Sequence, residues 1–311
     1  MKSPSLQNNP MKAVVLKVTA VFLFMVMAAL VKAATQSVPA GQALFFRAFF
    51  SLPVIIVWLV FTGDLREGLI PKKLSGHIWR GIFGTTSMGL TFAGLSILPL
   101  PEVTAIGYAT PIFTVLLAAV FLGERFRLIR MTAVLMGLVG VMVVMWPRLT
   151  VGNIGDAATI GAIMVLIAAI MRALVQIFLR QMVKTEHTSA IVFWFMATAA
   201  IMSLFTIPFG WVRPDSTETV LLVSAGVIGG IAQILVTSGY RFGAASLLAP
   251  FDYTSMIFAI LIGWVVFAEL PTSTMLIGSL FVIAGGALII WRERQLGLER
   301  RRTRSVTDPK G

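Results

Sequence analysis

The chain has 311 residues, of which 58% are hydrophobic and only 12% charged, against roughly a quarter charged in a soluble domain. Such a composition belongs in a bilayer, and the short connections between its apolar runs leave no room for a soluble domain. The absence of cysteine excludes disulfides and thiolate metal sites, and the net charge of +12 comes without the aromatic interleaving or motif that nucleic-acid binding requires.

Runs of about 17 to 25 apolar residues mark membrane-spanning helices. Ten are predicted in chain order, at about 13–31, 43–62, 78–97, 101–122, 130–147, 157–179, 188–208, 219–240, 244–267 and 273–291. The fold class read from this pattern is an all-α membrane protein. Its organisation is a cytoplasmic N-terminal segment over 1–12, five spans over 13–147, five more over 157–291, and a basic cytoplasmic tail over 292–311. Lys2 and Lys12 precede an apolar run ending near Ala33 and Ala34, as in a signal peptide. Cleavage there would leave nine spans and break the five-plus-five pattern, so the first segment is read as a retained helix.

The two sets of five are copies of one unit. Tyr108, Ile112, Phe113, Val120 and Glu124 recur 145 positions later as Tyr253, Ile257, Phe258, Val265 and Glu269, and Gly94, Gly140 and Trp146 recur as Gly239, Gly285 and Trp291. A unit with an odd number of spans, repeated in tandem, enters the membrane from the opposite side the second time. The repeats are therefore inverted, and inverted repeats place a substrate site near the midplane, between two halves that rock against each other.

Basic residues cluster in the segments that share a side with the N-terminus, among them Lys72, Lys73, Arg80, Arg125, Arg127, Arg180 and the tail arginines, whereas the opposite loops keep only Lys32, Arg148 and Arg213. That bias favours both termini in the cytoplasm of a multi-pass inner-membrane protein. The basic tail reads as a topology anchor that also attracts anionic lipid.

Three segments carry a family resemblance: Phe45-Phe46-Arg47-Ala48-Phe49-Phe50, Ala109-Thr110-Pro111-Ile112-Phe113 with Gly123-Glu124-Arg125, and Pro250-Phe251-Asp252-Tyr253-Thr254 with Ala268-Glu269-Leu270-Pro271. The chain resembles the drug/metabolite transporter superfamily, in its EamA-type branch, over roughly residues 12–291. The resemblance implies a ten-helix inner-membrane carrier with inverted five-helix repeats and a small-molecule substrate. Amino acids, nucleotide precursors, S-adenosylmethionine and riboflavin are among the substrates assigned to such members. One departure is visible: Met256 stands where the first repeat has Pro111, so a helix break at that level is not copied residue for residue, and Pro250 is the substitute.

Ionisable groups inside spans are costly and are functional candidates by default. Lys17 lies near the inner end of its helix and reads as a snorkelling residue. Arg47 lies roughly 7 Å into the second helix, among four phenylalanines, where it suits either an anionic or planar substrate group or a structural anchor. Arg172 and Gln176 are placed in an inner vestibule. Asp252 is the one acid well inside an apolar run; it is read either as a proton-coupling or substrate-contacting group or as half of a fixed pair with Arg47 or Arg172. Tyr108, Tyr253, Gln233 and Trp194 add hydrogen bonds and stacking faces for a substrate, against helix packing as the plain alternative. Glu124 and Glu269 read as structural carboxylates at helix ends.

No phosphate loop or HExxH pair occurs, and His77 and His187 fall in predicted cytoplasmic loops. No catalytic residue, metal ligand or cofactor is implied, and a membrane-embedded enzyme is disfavoured. The reading is a secondary transporter, with riboflavin as the named substrate, an amino acid or S-adenosylmethionine as the alternative, and a passive channel or scramblase as the rival class. The partners are the small-molecule substrate and the lipid bilayer; a homodimer stays open.

Overall fold

A computed structural model describes residues 9–63, 65, 69–122, 128–150, 156–182, 185–242 and 248–307. The helices in chain order are α1 (Pro10–Ala34), α2 (Ala40–Thr62), α3 (Leu74–Leu95), α4 (Leu100–Gly107), α5 (Ala109–Leu122), α6 (Leu128–Thr150), α7 (Ala157–Met182), α8 (Thr188–Leu204), α9 (Ser216–Phe242), α10 (Thr254–Phe267) and α11 (Ser273–Thr307). Helices α4 and α5 are two pieces of one crossing. A 3-10 turn, Ala249–Tyr253, leads into α10 in the same way. Segments 10–34, 40–62, 100–117, 157–179 and 216–239 are long and apolar enough to cross a membrane, and shorter apolar helices cover 134–147, 189–204, 251–267 and 273–288. The architecture is ten membrane helices in two inverted five-helix repeats, with α11 continuing into the stretch expected to be a separate tail.

Local chemistry sets the helix limits. Asn9 accepts the Lys12 N–H through its side chain at 3.1 Å, and Pro10 occupies the first helical position, where no N–H is needed. Gly63 ends α2 at φ 72°, a left-handed residue that costs glycine nothing. Ala268 ends α10 in the same region, at φ 55°, and there an alanine is strained. The turn is closed by the Glu269 N–H on the Gly263 carbonyl at 2.9 Å, and it aims the Glu269 side chain back into the bundle.

The two repeats interlock rather than lying side by side. Helix α1 packs along α9 and its image α7 along α3; α2 packs on α9 and its image α8 on α3; α1 meets α10 and its image α7 meets α5. The self-image pairs α2 with α8 and α6 with α11 close the set. Glycines allow the closest approaches. A Cβ at Gly94 would face the Gly161 carbonyl of α7 at 3.5 Å and one at Gly239 would face the Ala13 carbonyl of α1 at 3.5 Å. On the self-image pair α6 and α11, Cβ atoms at Gly140 and Gly278 would each lie 2.6 Å from the other's carbonyl oxygen. Large apolar side chains such as Phe61, Phe205, Phe209 and Val265 point outward, where lipid replaces water as the surrounding medium.

Two buried clamps hold opposite ends of the bundle. At one end Lys32, the last basic residue of α1, is buried and uses its ammonium on Glu269 Oε1 at 2.8 Å, the Leu98 carbonyl at 2.6 Å and the Leu95 carbonyl at 3.4 Å. Glu269 Oε2 accepts the Leu100 N–H at 2.8 Å. A cation thus sits on the last carbonyl of α3 and on the turn after it, and a carboxylate on the first N–H of α4, each matching the helix dipole it meets. Lys32 is therefore not the loop residue its position in the sequence suggested. Glu124, the image of Glu269, lies outside the described residues.

At the other end the Glu186 carboxylate accepts the Lys73 N–H at 2.7 Å and the Lys72 N–H at 2.9 Å, and so fixes the chain at the entry to α3. His77 Nε2 lies 3.4 Å from the same carboxylate. His77 and Arg80, expected among cytoplasmic loop residues, are both buried within α3; the Arg80 guanidinium donates to the Ile191 carbonyl at 3.1 Å and lies 4.5 Å from the Phe195 ring centre. Burial pushes the Glu186 carboxyl up, but the hydrogen bonds from the Lys72 and Lys73 N–H groups and the nearby His77 ring outweigh it and hold the group below its ordinary 4.5.

Two outcomes are expected from these contacts. Gly140→Ala lowers the thermal unfolding temperature in detergent, because the clashing atoms are backbone of α11, whereas Gly89→Ala raises it, because its nearest neighbour is the Leu44 side chain at 3.5 Å and alanine is favoured over glycine in a helix by about 0.5–1 kcal/mol. The Glu186 clamp works in full above pH 4.5 and fades as pH falls through its lower folded value. Glu186→Gln therefore lowers the unfolding temperature at pH 7, and its deficit against wild type shrinks as the pH is taken below that value.

Candidate functional site

The fourth and ninth crossings, counted from the N-terminus, are both interrupted, and hydroxyl groups explain how the interruptions are tolerated. Pro111 has no N–H to give the carbonyl four residues earlier, and the Thr110 hydroxyl fills that place, donating to the Gly107 carbonyl at 2.8 Å. In the second half the Ser255 hydroxyl donates to the Asp252 carbonyl at 2.6 Å. Residues 110 and 255 are images, as are 107 and 252. The break is thus copied at the level of the hydroxyl although Pro111 is replaced by Met256, and Pro250 opens the 3-10 turn.

Tyr108 and Tyr253 meet at these breaks. Their rings lie 5.2 Å apart at 72°, edge to face, and the Tyr108 hydroxyl lies 2.6 Å from Ser255 Oγ and 3.1 Å from the Tyr253 carbonyl. With the Ser255 proton committed to Asp252, Tyr108 is the donor in the first of these contacts. Residues related by a pseudo-two-fold axis touch one another only on that axis, so this pair marks the symmetry centre of the molecule. The Tyr253 hydroxyl rests on Gly286 of α11, where any Cβ would overlap it.

The charged candidates fall around this centre. Asp252, next to Tyr253, pairs with Lys17 of α1: Nζ to Oδ1 is 2.6 Å, with the lysine side chain 5% exposed and the aspartate 54%. Neither Arg47 nor Arg172 supplies that partner, and Lys17 is an interior ion-pair member rather than a snorkelling residue. Arg172 of α7 reaches toward Gly107, next to Tyr108, with Nη1 3.6 Å from where a Cβ at 107 would stand; its Nη2 donates to Thr91 Oγ1 at 3.0 Å. Gln176, one turn along α7, has Oε1 3.5 Å from the Thr114 hydroxyl.

Three other predicted residues lie apart from the tyrosine pair. Arg47 is buried between α1, α8 and α9, its Nε 3.4 Å from the Met27 sulfur and its Nη1 2.9 Å from that of Met196. Trp194 donates its indole N–H to the Leu69 carbonyl at 3.0 Å and stands beside His77, at the Glu186 end of the bundle. Gln233 is half-buried on α9, its backbone carbonyl bonded by the Thr237 hydroxyl. Among the described residues no group of three or more His, Asp or Glu side chains gathers as a metal site would require. The sequence reading passed over Gly107 and Thr91. Gly107 had a signal, since the 145-residue offset that pairs the tyrosines also pairs it with Asp252.

The sequence matches the model of the EamA-like transporter family twice, over residues 11–146 and 159–291. It is 28% identical over 284 residues to a pseudopaline exporter of Pseudomonas aeruginosa, covering 89% of this chain and 93% of that protein. It is 28% identical over 257 residues to an S-adenosylmethionine uptake transporter of Rickettsia conorii, covering 82% and 84%, and 22% identical over 301 residues to a riboflavin transporter of Vibrio cholerae, covering 95% and 99%. A solved crystal structure, 22% identical, superposes with a TM-score of 0.64 over 91% of this chain and 98% of its own, and shares the fold. These relatives are all transporters, and both halves match the family model, so this multi-pass membrane protein belongs to the EamA-like transporter family.

Proposed function

We propose that the chain is a secondary carrier that moves a small polar metabolite by alternating access around the Tyr108–Tyr253 centre, in the inner membrane with both termini cytoplasmic. The observation that carries this reading is the meeting of two image tyrosines at two interrupted helices. Freed carbonyls, hydroxyls and one accessible carboxylate then lie together at the symmetry centre, where inverted-repeat carriers hold their substrates. An open channel would not need two image-related breaks that meet at the symmetry centre. Asp252 is the coupling candidate, because its carboxylate is exposed on one side while Lys17 holds it on the other.

For the substrate, an amino-acid-type metabolite, whether a free amino acid or S-adenosylmethionine, is favoured over riboflavin. The flavin reading leaned on a stacking platform, and Trp194 is bonded to Leu69 at the Glu186 end, away from the tyrosine pair. Riboflavin stays as the second reading, supported by the near-complete coverage of the Vibrio cholerae relative.

The test is flux in proteoliposomes holding the purified full chain, with labelled amino acids, S-adenosylmethionine and riboflavin supplied singly under an imposed pH gradient. Saturable, competable uptake of an amino-acid-type substrate is the expected result; flux that rises linearly with concentration would instead indicate a channel. Asp252→Asn is expected to abolish accumulation driven by the gradient while sparing counterflow exchange. Equal loss of both, persisting in the Lys17→Gln, Asp252→Asn double variant, would assign Asp252 to folding instead of coupling.

A further inference from the structure

The two halves differ at one pair of image positions in a way that their packing does not compensate. In the second half position 252 is an aspartate whose carboxylate is matched by a cation from the facing helix, Lys17 of α1, at 2.6 Å. In the first half the image position is Gly107, which has no side chain, yet a cation still arrives from the facing helix: Arg172 of α7. Among the described residues, chain neighbours aside, a Cβ built at residue 107 would meet Arg172 Nη1 at 3.6 Å, an ordinary contact distance. A Cβ therefore fits there, and a cation stands within reach of a carboxylate carried on it.

Arg172 is otherwise under-satisfied. Its hydrogen bond among the described residues goes to the neutral Thr91 hydroxyl, which engages one nitrogen of a five-donor guanidinium fork and brings it no negative charge. A cation inside a membrane bundle is costly without an opposite charge, and a carboxylate is the planar two-oxygen group that a guanidinium binds through paired N–H donors. Gln176 and Thr114 supply neutral polar groups one turn away, and Gly107 adjoins Tyr108 at the symmetry centre. We infer that a carboxylate of the transported molecule binds the Arg172 guanidinium beside Gly107, standing in for the side chain that Asp252 supplies to Lys17 in the other half.

This inference rests on the carrier reading and names a chemical class within it. It is tested by thermal unfolding of the purified full chain titrated with glutarate, with inorganic phosphate at matched ionic strength, and with neutral glutaramide. A ligand that binds only the folded chain raises its unfolding temperature. Glutarate is expected to raise it in a dose-dependent way, and phosphate and glutaramide to do so weakly or not at all. Arg172→Gln is expected to weaken the glutarate response by about tenfold to a hundredfold in apparent Kd, the range for a lost charge-assisted hydrogen bond.

Gly107→Asp is the diagnostic variant. Residue 107 has a φ outside the left-handed region, so aspartate fits its backbone, and the tethered carboxylate is expected to raise the basal unfolding temperature and abolish the glutarate response. Both effects are expected to vanish in the Gly107→Asp, Arg172→Gln double variant, while Gly107→Ala keeps the response. A glutarate response that survives Arg172→Gln, equal responses to glutarate and phosphate, or no response in wild type would each overturn the inference. If Gly107→Asp does not fold, the Arg172→Gln titration decides alone. Failure of the flux assay leaves these shifts standing, since they read binding and not transport.

Discussion

Everything in this molecule is organised around an inverted two-fold axis that passes between Tyr108 and Tyr253. Because each repeat crosses the membrane an odd number of times, the only symmetric way to pack the copies is antiparallel, and the helices then pair across the repeat boundary: α1 with α9, α3 with α7, α2 with α8, α6 with α11. No helix pair of that kind survives if residues 13–147 move as one body against 157–291. A rocking motion of intact halves, the simplest expectation for inverted repeats, is therefore expensive here. The compliant points are the two interrupted crossings, where backbone hydrogen bonds are replaced by the hydroxyls of Thr110 and Ser255. Motion about those points would leave the interlocked helix pairs intact, so under the alternating-access reading proposed above the moving bodies would cut across the repeats.

Much of the fold was legible in the sequence because hydrophobic length and the 145-residue offset are both one-dimensional signals. The expected spans agree with the helices to within a few residues at most ends, and the duplication survives in residues such as tyrosine and glutamate that a membrane alphabet does not supply by chance. Partnerships were not legible. For Asp252 the sequence offered either a coupling or substrate-contacting role or a pair with Arg47 or Arg172, the evident deep cations, whereas the partner is Lys17, which lies near a helix end and reads as a snorkelling residue. Lys32 was counted with the loops for the same reason, yet its ammonium is fully committed to Glu269 and two carbonyls. Depth along a helix can be read from a sequence; the direction a side chain faces cannot, and in a protein whose helices are apolar on nearly every side the usual amphipathic cue is missing.

Symmetry also separates the residues that carry structure from those that carry chemistry. Where the copies differ and the packing repairs the difference, the difference is structurally neutral: Pro111 and Met256 are unlike, but both breaks keep the same hydroxyl-to-carbonyl bond. Where the copies agree and bury a glycine, as at Gly94 and Gly239, the agreement follows from close helix approach. Gly107 and Asp252 fit neither case, because one image position holds a carboxylate with its cation and the other holds a cation with no carboxylate. A duplicated protein that only had to fold would have no reason to keep Arg172 against a glycine, since an apolar residue there would avoid the cost of an unbalanced interior charge. The retained cost has to be offset in some state of the molecule. On the inference drawn above, the state that offers an anion at that point is the one with substrate bound, and there the departure from symmetry would become a preference for one chemical class of cargo.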